Sequence, residues 1–160
     1  MKKIFCSFLA VVMMFSFFAF DTFAVSEEAA PQVIDFTLSS AELSSEAISE
    51  VRASGLILIY ALSIKKSGTS ITITGKTSCA SGVIKCGFKN LTVERRKDSN
   101  SSWTDYYDYG DVYRESTVAT ISTTLAVASG YQYRVTCKHY AKKSLLSTQT
   151  ISNASAVLTM

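Results

Sequence analysis

Apolar and polar residues alternate with a period of two along seven segments of this 160-residue chain. The segments are residues 56–65, 70–79, 84–96, 103–113, 117–127, 130–141 and 148–160. Successive side chains of a strand point to opposite faces, so this period is typical of strands that cover a core on one side. No amphipathic helix interrupts the series. The pattern predicts an all-β fold, an antiparallel β-sandwich of about seven strands over residues 55–160.

One of these segments changes phase part-way along. Ile84, Cys86 and Phe88 share a face, whereas Leu91 and Val93 reach that face only if one extra residue is inserted before them. An extra residue in one strand of an antiparallel pair is a β-bulge. We therefore predict a bulge at residues 89–90.

Residues 1–24 have the composition of a secretory signal peptide. Two lysines follow Met1, residues 4–20 carry no charge, and small residues occupy the positions before the expected cleavage site at Ala24. The uncharged run is slightly shorter than the roughly 20 residues of a transmembrane helix. These features predict cleavage after Ala24 and a secreted, extracellular protein with no membrane span.

The chain after the predicted signal has two parts of opposite charge. Residues 25–50 hold six acids and no Lys or Arg, whereas residues 51–160 hold fourteen Lys or Arg and six acids. The acidic part is rich in Ser, Ala and Glu, which predicts a linker or pro-segment over residues 25–54. The spacing of Leu43 and Ala47 allows one short helix within it. A basic exported domain is attracted to anionic polymers and lipid headgroups.

One stretch resembles a corner of known sandwich folds. The run LAVASGYQYRV, residues 125–135, resembles the turn between the fifth and sixth strands of fibronectin type III and other immunoglobulin-like domains. The resemblance implies that Tyr131 or Tyr133 donates a hydrogen bond from its hydroxyl to the backbone a few residues upstream. Ala128 or Ser129 stands where the fibronectin corner usually has proline.

A wider resemblance covers roughly residues 52–160 together with the signal. The motifs TGKTSC, KCGFKNLTVERR and GYQYRVTCKHYA, with the single Trp, resemble an uncharacterised family of small secreted β-rich proteins of Gram-positive bacteria. The resemblance implies export and a β-rich fold. It brings no activity, cofactor or site residue with it.

Three cysteines remain once Cys6 leaves with the predicted signal, namely Cys79, Cys86 and Cys137. In a seven-strand sandwich all three gather at one end of the domain. Any two of them can form a disulfide in an oxidising compartment. The sequence leaves the pairing open, and the third thiol stays free or pairs between chains.

His139 lies two residues after Cys137 on the same predicted strand face. With Cys79 and Cys86 these residues supply the ligand types of a tetrahedral zinc site, although the spacing is not a standard zinc motif. Cys137 and His139 also suggest a nucleophile and a base, but no orienting acid lies near them in sequence. We therefore assign no catalytic, cofactor-binding or metal-binding residue, and we interpret the protein as a non-enzyme without a cofactor.

The stretch WTDYYDYGDVY, residues 103–113, interleaves aromatic residues with acids. Trp103, Tyr106, Tyr107 and Tyr109 are candidates for a binding edge that stacks on a sugar or contacts a protein. A weak calcium site at the acids is one alternative. The other is an edge strand whose aromatic residues pack on the core while its charges prevent edge-to-edge pairing.

The leading hypothesis is a secreted, non-enzymatic binding or interaction module at the cell surface or outside the cell. The partner is unknown. A cell-wall polymer, a glycan and an extracellular protein all fit, whereas no nucleic-acid motif is found. The alternative is a secreted antibacterial or toxin-like antagonist with residues 25–50 as its pro-segment.

We expect the exported protein to begin at Val25. Intact-mass analysis of the protein secreted from an expression host tests this, because cleavage after Ala24 removes 24 of the 160 residues. A start near Arg52 or Gly55 would favour a pro-segment that is removed. A chain that keeps Met1 would contradict cleavage altogether.

Overall fold

The computed structural model describes residues 31–39 and 51–160, and every regular element in that part of the chain is a β-strand. The strands are β1 Val33–Ser39, β2 Val51–Arg52, β3 Ile57–Ser67, β4 Ser70–Cys79, β5 Lys85–Arg96, β6 Thr104–Arg114, β7 Val118–Ala126, β8 Gln132–Lys142, β9 Thr148–Ala154 and β10 Leu158–Thr159. All of the described pairings are antiparallel, which confirms the all-β, antiparallel part of the prediction. None of the described residues forms a helix with the length and hydropathy that crossing a bilayer requires.

The strands form two packed sheets. Sheet one has the order β1-β7-β4-β3-β2, and sheet two has the order β10-β8-β5-β6, with β9 also paired to β8. Strands β9 and β10 together make up the last predicted segment, which is divided at Ser155. There the Ser155 amide donates to the Val135 carbonyl at 2.8 Å, and the Ser155 hydroxyl accepts from the Val135 amide at 2.9 Å.

The core lies between the two sheets and is filled by the residues that the alternation places inward. Ile71 and Ile73 of sheet one and Phe88 of sheet two are fully buried. A Cβ added to Gly75 would lie 3.0 Å from side-chain atoms of both Phe88 and Ile121. The glycine therefore lets the aromatic ring of one sheet approach the backbone of the other, a close contact that any side chain would obstruct.

The predicted bulge is confirmed at Asn90. The register between β5 and β6 shifts between Phe88 and Leu91, and Asn90 has a positive φ of 48°. Asparagine is one of the few side chains that tolerate this left-handed conformation. The extra residue returns Leu91 to the buried face.

The predicted corner hydrogen bond is made by Tyr133. Its hydroxyl donates to the carbonyl of Ala128 at 2.9 Å, five residues upstream, and its ring is fully buried. Tyr131 instead lies half-buried beside it, with the amino group of Lys97 over its ring.

The structure differs from the sequence prediction in two places. Strands β1 and β2 lie outside the predicted sandwich range of residues 55–160, and β1 pairs with β7 from within the predicted linker. Ile84, expected to share the inward face of Cys86, precedes β5 and is exposed. The predicted signal peptide and short helix lie outside the described residues.

We expect Tyr133→Phe to lower the free energy of unfolding by about 1–2 kcal/mol, because it removes one donor and leaves the Ala128 carbonyl without that bond. Urea denaturation of the purified protein measures the change. Tyr131→Phe is the matched control and should have little effect. Equal stability of the Tyr133→Phe variant and the wild type would contradict the structural role of the bond.

Candidate functional site

The outer face of sheet two carries a cluster of Lys and Arg side chains. On β5 and β8 every other residue points away from the core, as the alternating burial and the strand register show. The outward cations are Lys85, Lys89, Arg96, Arg134, Lys138 and Lys142. The acids of this sheet are Glu94 on β5 and Asp105, Asp108 and Asp111 on the edge strand β6. Strands β8 and β9 contain no acid, and β9 contains no charged residue at all, so the positive charge of the face is concentrated on β5 and β8.

Two pairs of lysines lie directly opposite each other on this face. Lys85 is the register partner of Lys142, and Lys89 is the register partner of Lys138. Like charges at opposed positions of neighbouring strands destabilise a sheet. The fold therefore keeps four positive charges close together although the pairing costs free energy.

Aromatic rings support the two lysines of β5. The Lys85 amino group lies 4.4 Å from the ring centre of Tyr113, and that of Lys89 lies 4.9 Å from the ring centre of Tyr140. The two rings pack against each other at 5.1 Å across Gly87. A Cβ on Gly87 would clash with the Val112 carbonyl oxygen, so glycine is required between the rings.

Trp103 marks the other end of the same face. The guanidinium carbons of Arg96 and Arg134 lie 4.5 Å and 4.4 Å from its ring centre. Arg134 is also paired with Glu94 across the strands. The indole is thus held by stacked cations, an arrangement in which cation–π attraction adds to apolar contact.

A shallow cleft of about 430 Å³ lies over the paired strands β8 and β9, beside the bulge. Its lining consists of Asn90, Arg134, Thr136, Cys137, Lys138, Ser152, Asn153 and Ala154. The lining holds two cations, two amides and two hydroxyls, and it holds no carboxylate. Groups of this kind donate hydrogen bonds to phosphate, carboxylate or sugar oxygens.

The four residues of the predicted binding edge do not form one platform. Trp103 lies on the outer face, whereas the Tyr106 hydroxyl donates inward to the Ala126 carbonyl at 3.2 Å. The Tyr109 hydroxyl bonds Thr123 of sheet one at 3.2 Å, and burial raises the pKa of Tyr109. The ring of Tyr107 packs edge to face on that of Tyr109 at 4.8 Å. Three of the four tyrosine and tryptophan side chains therefore pack against the sandwich.

Two acids of β6 accept hydrogen bonds from backbone amides of their own strand and of β5. Asp108 accepts from the Gly110 amide at 2.8 Å, and Asp111 accepts from the Asn90 amide at 3.0 Å. Tyr113 donates its hydroxyl to Asp111 at 2.6 Å, and this bond is the main cause of the lowered pKa of Asp111. Within residues 31–39 and 51–160, no group of three or more His, Cys, Asp or Glu is arranged to hold a metal ion.

His139 lies at the centre of a buried polar cluster. Thr77 donates its hydroxyl to the Gly87 carbonyl at 3.1 Å, so it accepts from His139 Nδ1 at 2.8 Å. The opposite nitrogen, Nε2, then accepts from the Asn153 amide at 3.2 Å and faces the Cys137 sulfur at 3.7 Å. Both ring nitrogens have partners, which defines a neutral imidazole with its proton on Nδ1.

The surroundings of Cys137 and His139 favour the uncharged form of both groups. Burial lowers the pKa of His139 to about 3 and raises the pKa of Cys137 to about 12. Nucleophilic cysteines need the opposite, a thiolate with a depressed pKa. The contact therefore serves packing and hydrogen bonding better than it serves nucleophilic chemistry.

Cys79 and Cys86 form a second contact at the same end of the molecule. The three cysteines are thiols in the structure, and the side chains of Cys79 and Cys86 are hydrogen-bonded to each other. That bond raises the pKa of Cys79 and lowers the pKa of Cys86. Cys137 instead faces His139, so two thiols are adjacent and the third is set apart.

We expect oxidation to join Cys79 to Cys86 and to leave Cys137 as a thiol. The two protons and two electrons pass to a thiol–disulfide oxidant such as oxidised glutathione. Closing this short loop stabilises the fold by about 2.5 kcal/mol in the chain-entropy model. Non-reducing peptide mapping with thiol counting tests the pairing, and Cys137→Ser is the control that should leave the bond intact. A disulfide that includes Cys137 would contradict the assignment.

No family model, curated protein or solved structure matches this chain. The resemblances to fibronectin type III domains and to a family of secreted proteins therefore remain predictions. What the site does has to be argued from the charges, rings and hydrogen bonds of its own residues.

Proposed function

We propose that this protein acts outside the cytoplasm as a non-enzymatic binding module that holds an anionic polymer on the outer face of sheet two. The polymer class is one that repeats phosphate or carboxylate groups, as anionic wall polymers and acidic glycans do. The four lysines that oppose each other in register on β5 and β8 carry this proposal.

The strand order supports a fibronectin type III-like form of the sandwich. The first, second and fifth strands of such a domain correspond to β3, β4 and β7, and the remaining four correspond to β5, β6, β8 and β9. The fourth strand, β6, stays beside β5, whereas in immunoglobulin constant domains the fourth strand joins the other sheet. The Tyr133 corner adds to this likeness. Domains of this architecture commonly serve as binding modules at cell surfaces.

The opposed lysines explain why an anion is the favoured ligand. Each Lys–Lys pair costs free energy in the unbound sheet, and a negative group between the two strands removes that repulsion. Asp111 of the edge strand β6 interacts electrostatically with Lys85 and Lys89, whose charges help to lower its pKa. Strands β8 and β9 hold no acid, so no carboxylate of either strand faces Lys138 and Lys142. An anionic ligand is therefore favoured most on the β8 side of the face.

The spacing of the cations favours a polymer over a small anion. Arg134, Lys138 and Lys142 follow one another every four residues along β8, which is roughly 13 Å per step at the rise of a strand. Lys85 and Lys89 repeat the same interval on β5. A row of this length presents several sites to a chain with repeated charges, and each engaged site raises the effective concentration at the next.

We expect Lys89→Gln/Lys138→Gln to weaken binding to a teichoic acid or polygalacturonate by roughly tenfold at low salt, because two of the opposed cations are lost. Retention on the immobilised polymer, measured across a salt series, gives the change. Lys65→Gln/Lys66→Gln removes the same charge from the exposed end of β3 in sheet one and is the matched control.

Two results would contradict the proposal. One is the absence of salt-dependent retention of the wild-type protein on either polymer, with uncharged dextran as the reference. The other is an equal loss in both double variants, because this would mean that net charge alone, and not the face of sheet two, causes retention.

A further inference from the structure

The hairpin between β8 and β9 ends in two leucines. The turn runs from Ser144 to Ser147, whose amide donates to the Ser144 carbonyl at 3.4 Å. Leu145 and Leu146 occupy its two central positions and are 87% and 99% exposed. Turn centres usually hold Gly, Pro, Asn, Asp or Ser, whose conformational preferences suit the bend. Two large apolar side chains directed fully into solvent are not explained by the turn itself.

A third exposed apolar residue lies next to this hairpin. Ile84, in the loop between β4 and β5, is 56% exposed, and its amide donates to the Lys142 carbonyl at 2.8 Å. In the same loop, a Cβ on Gly82 would lie 3.5 Å from Lys143. The two loops are therefore in contact, and three exposed apolar side chains lie at one end of the sandwich.

Positive charge surrounds these apolar residues. Lys142 and Lys143 immediately precede the turn, and Lys85 is the register partner of Lys142. Arg114 ends β6 as the register partner of Cys86, and Glu115 is the one acid in the described loops at this end. Apolar residues at a tip with lysines behind them are typical of surfaces that enter the headgroup region of an anionic membrane.

We propose that this end of the sandwich, which we call the leucine tip (Lys142–Ser147 with Ile84), docks peripherally on a bilayer that contains anionic lipid. The leucines enter the boundary between headgroups and acyl chains, and the lysines contact lipid phosphates. Burial of the leucines supplies apolar binding, and each lysine adds an attraction that salt weakens.

The shape of the leucine tip favours a bilayer over a protein partner. A stable protein interface buries roughly 800 Å² on each side, usually over a broad patch with a dry centre. Here the two most exposed leucines project from a two-residue turn that separates them from any broad apolar surface of the sheets. A narrow apolar projection can insert between lipid headgroups, whereas it would bury little surface area against a flat protein surface.

The inference does not rest on the proposed polymer binding, although the two sites share Lys85 and Lys142. The leucines lie on the hairpin turn, whereas Lys89 and Lys138 lie within the outer face of sheet two. Trp103 lies at the far end of that face, near Arg134, and so reports on the polymer site and not on the tip. The two functions can therefore be lost separately.

Co-sedimentation with vesicles tests the proposal, using protein secreted from an expression host so that its N terminus is known. We expect binding to vesicles of phosphatidylcholine with phosphatidylglycerol and weak binding to phosphatidylcholine alone. Leu145→Ser/Leu146→Ser should reduce partitioning by roughly 10- to 100-fold. Val157→Ser, at an exposed apolar residue between β9 and β10, is the matched control and should bind as the wild type does.

A second variant reports insertion directly. With Leu146→Trp, the new indole should shift its emission to the blue and be quenched by bilayer-embedded quenchers, while the emission of Trp103 alone in the wild type should not respond. Lys142→Gln/Lys143→Gln should lower binding to the anionic vesicles several-fold and remove most of its salt dependence.

The inference would be overturned by the absence of wild-type binding to anionic vesicles, by binding that survives Leu145→Ser/Leu146→Ser, or by no emission shift in Leu146→Trp. Loss of vesicle binding in Lys89→Gln/Lys138→Gln with retention in the leucine variant would also overturn it, because the outer face would then be the lipid contact. Loss of polymer binding alone leaves the leucine tip unaffected.

Discussion

The contact of Phe88 with Gly75 is the constraint on which the rest of the sandwich depends. Phe88 belongs to sheet two and Gly75 to sheet one. The Phe88 ring comes so near the glycine that a Cβ added there would lie only 3.0 Å from it. The ring of Phe88 also packs on His139 at 5.3 Å. The contact with Gly75 lets the inward residues of β5 pack closely on sheet one. The alternation of β5 and β8 then leaves their lysines on the outer face of sheet two.

A buried polar cluster then fixes how the two sheets align. Thr77 of sheet one is hydrogen-bonded to both Gly87 and His139 of sheet two. The Asn153 amide donates to the second nitrogen of the imidazole. A hydrogen-bond network in which every member is satisfied costs little and rejects other alignments, since a displaced strand would leave a buried nitrogen without a partner. Apolar packing alone tolerates more variation. The histidine thus specifies the alignment while remaining uncharged.

Much of the fold follows from local pattern, and much of the site does not. The period of two predicts the strands from β3 onwards, and the change of phase before Leu91 predicts the bulge at Asn90. Strand β1 falls within the predicted linker, because Ser, Ala and Glu dominate its surroundings, although Ile34, Phe36 and Leu38 alternate with polar residues. Pairing across strands is harder to foresee. That Lys89 opposes Lys138 depends on a register between segments almost fifty residues apart, which composition and periodicity do not encode.

The orientation of the aromatic side chains of residues 103–113 is also not predictable from the alternation alone. Alternation places every second residue of a strand inward, but irregular register between β5 and β6 changes that assignment along the strand. Tyr106 and Tyr109 therefore bond to sheet one, while Trp103 lies outside between two arginines. Exposure of the turn leucines is equally hidden in sequence, where adjacent leucines are typical of core segments.

The absence of acids from β8 and β9 has a consequence for how binding can be controlled. Lysine and arginine keep their charge throughout the physiological range, and the one histidine of the chain is buried with a pKa of about 3. The imidazole therefore stays neutral, and adds no charge beneath this half of sheet two, until the pH falls close to 3. Under the proposed function, this histidine would not make attraction to an anion depend on pH in acidified or neutral surroundings. Release of the proposed polymer would then be driven by competing ions or by a change in the ligand.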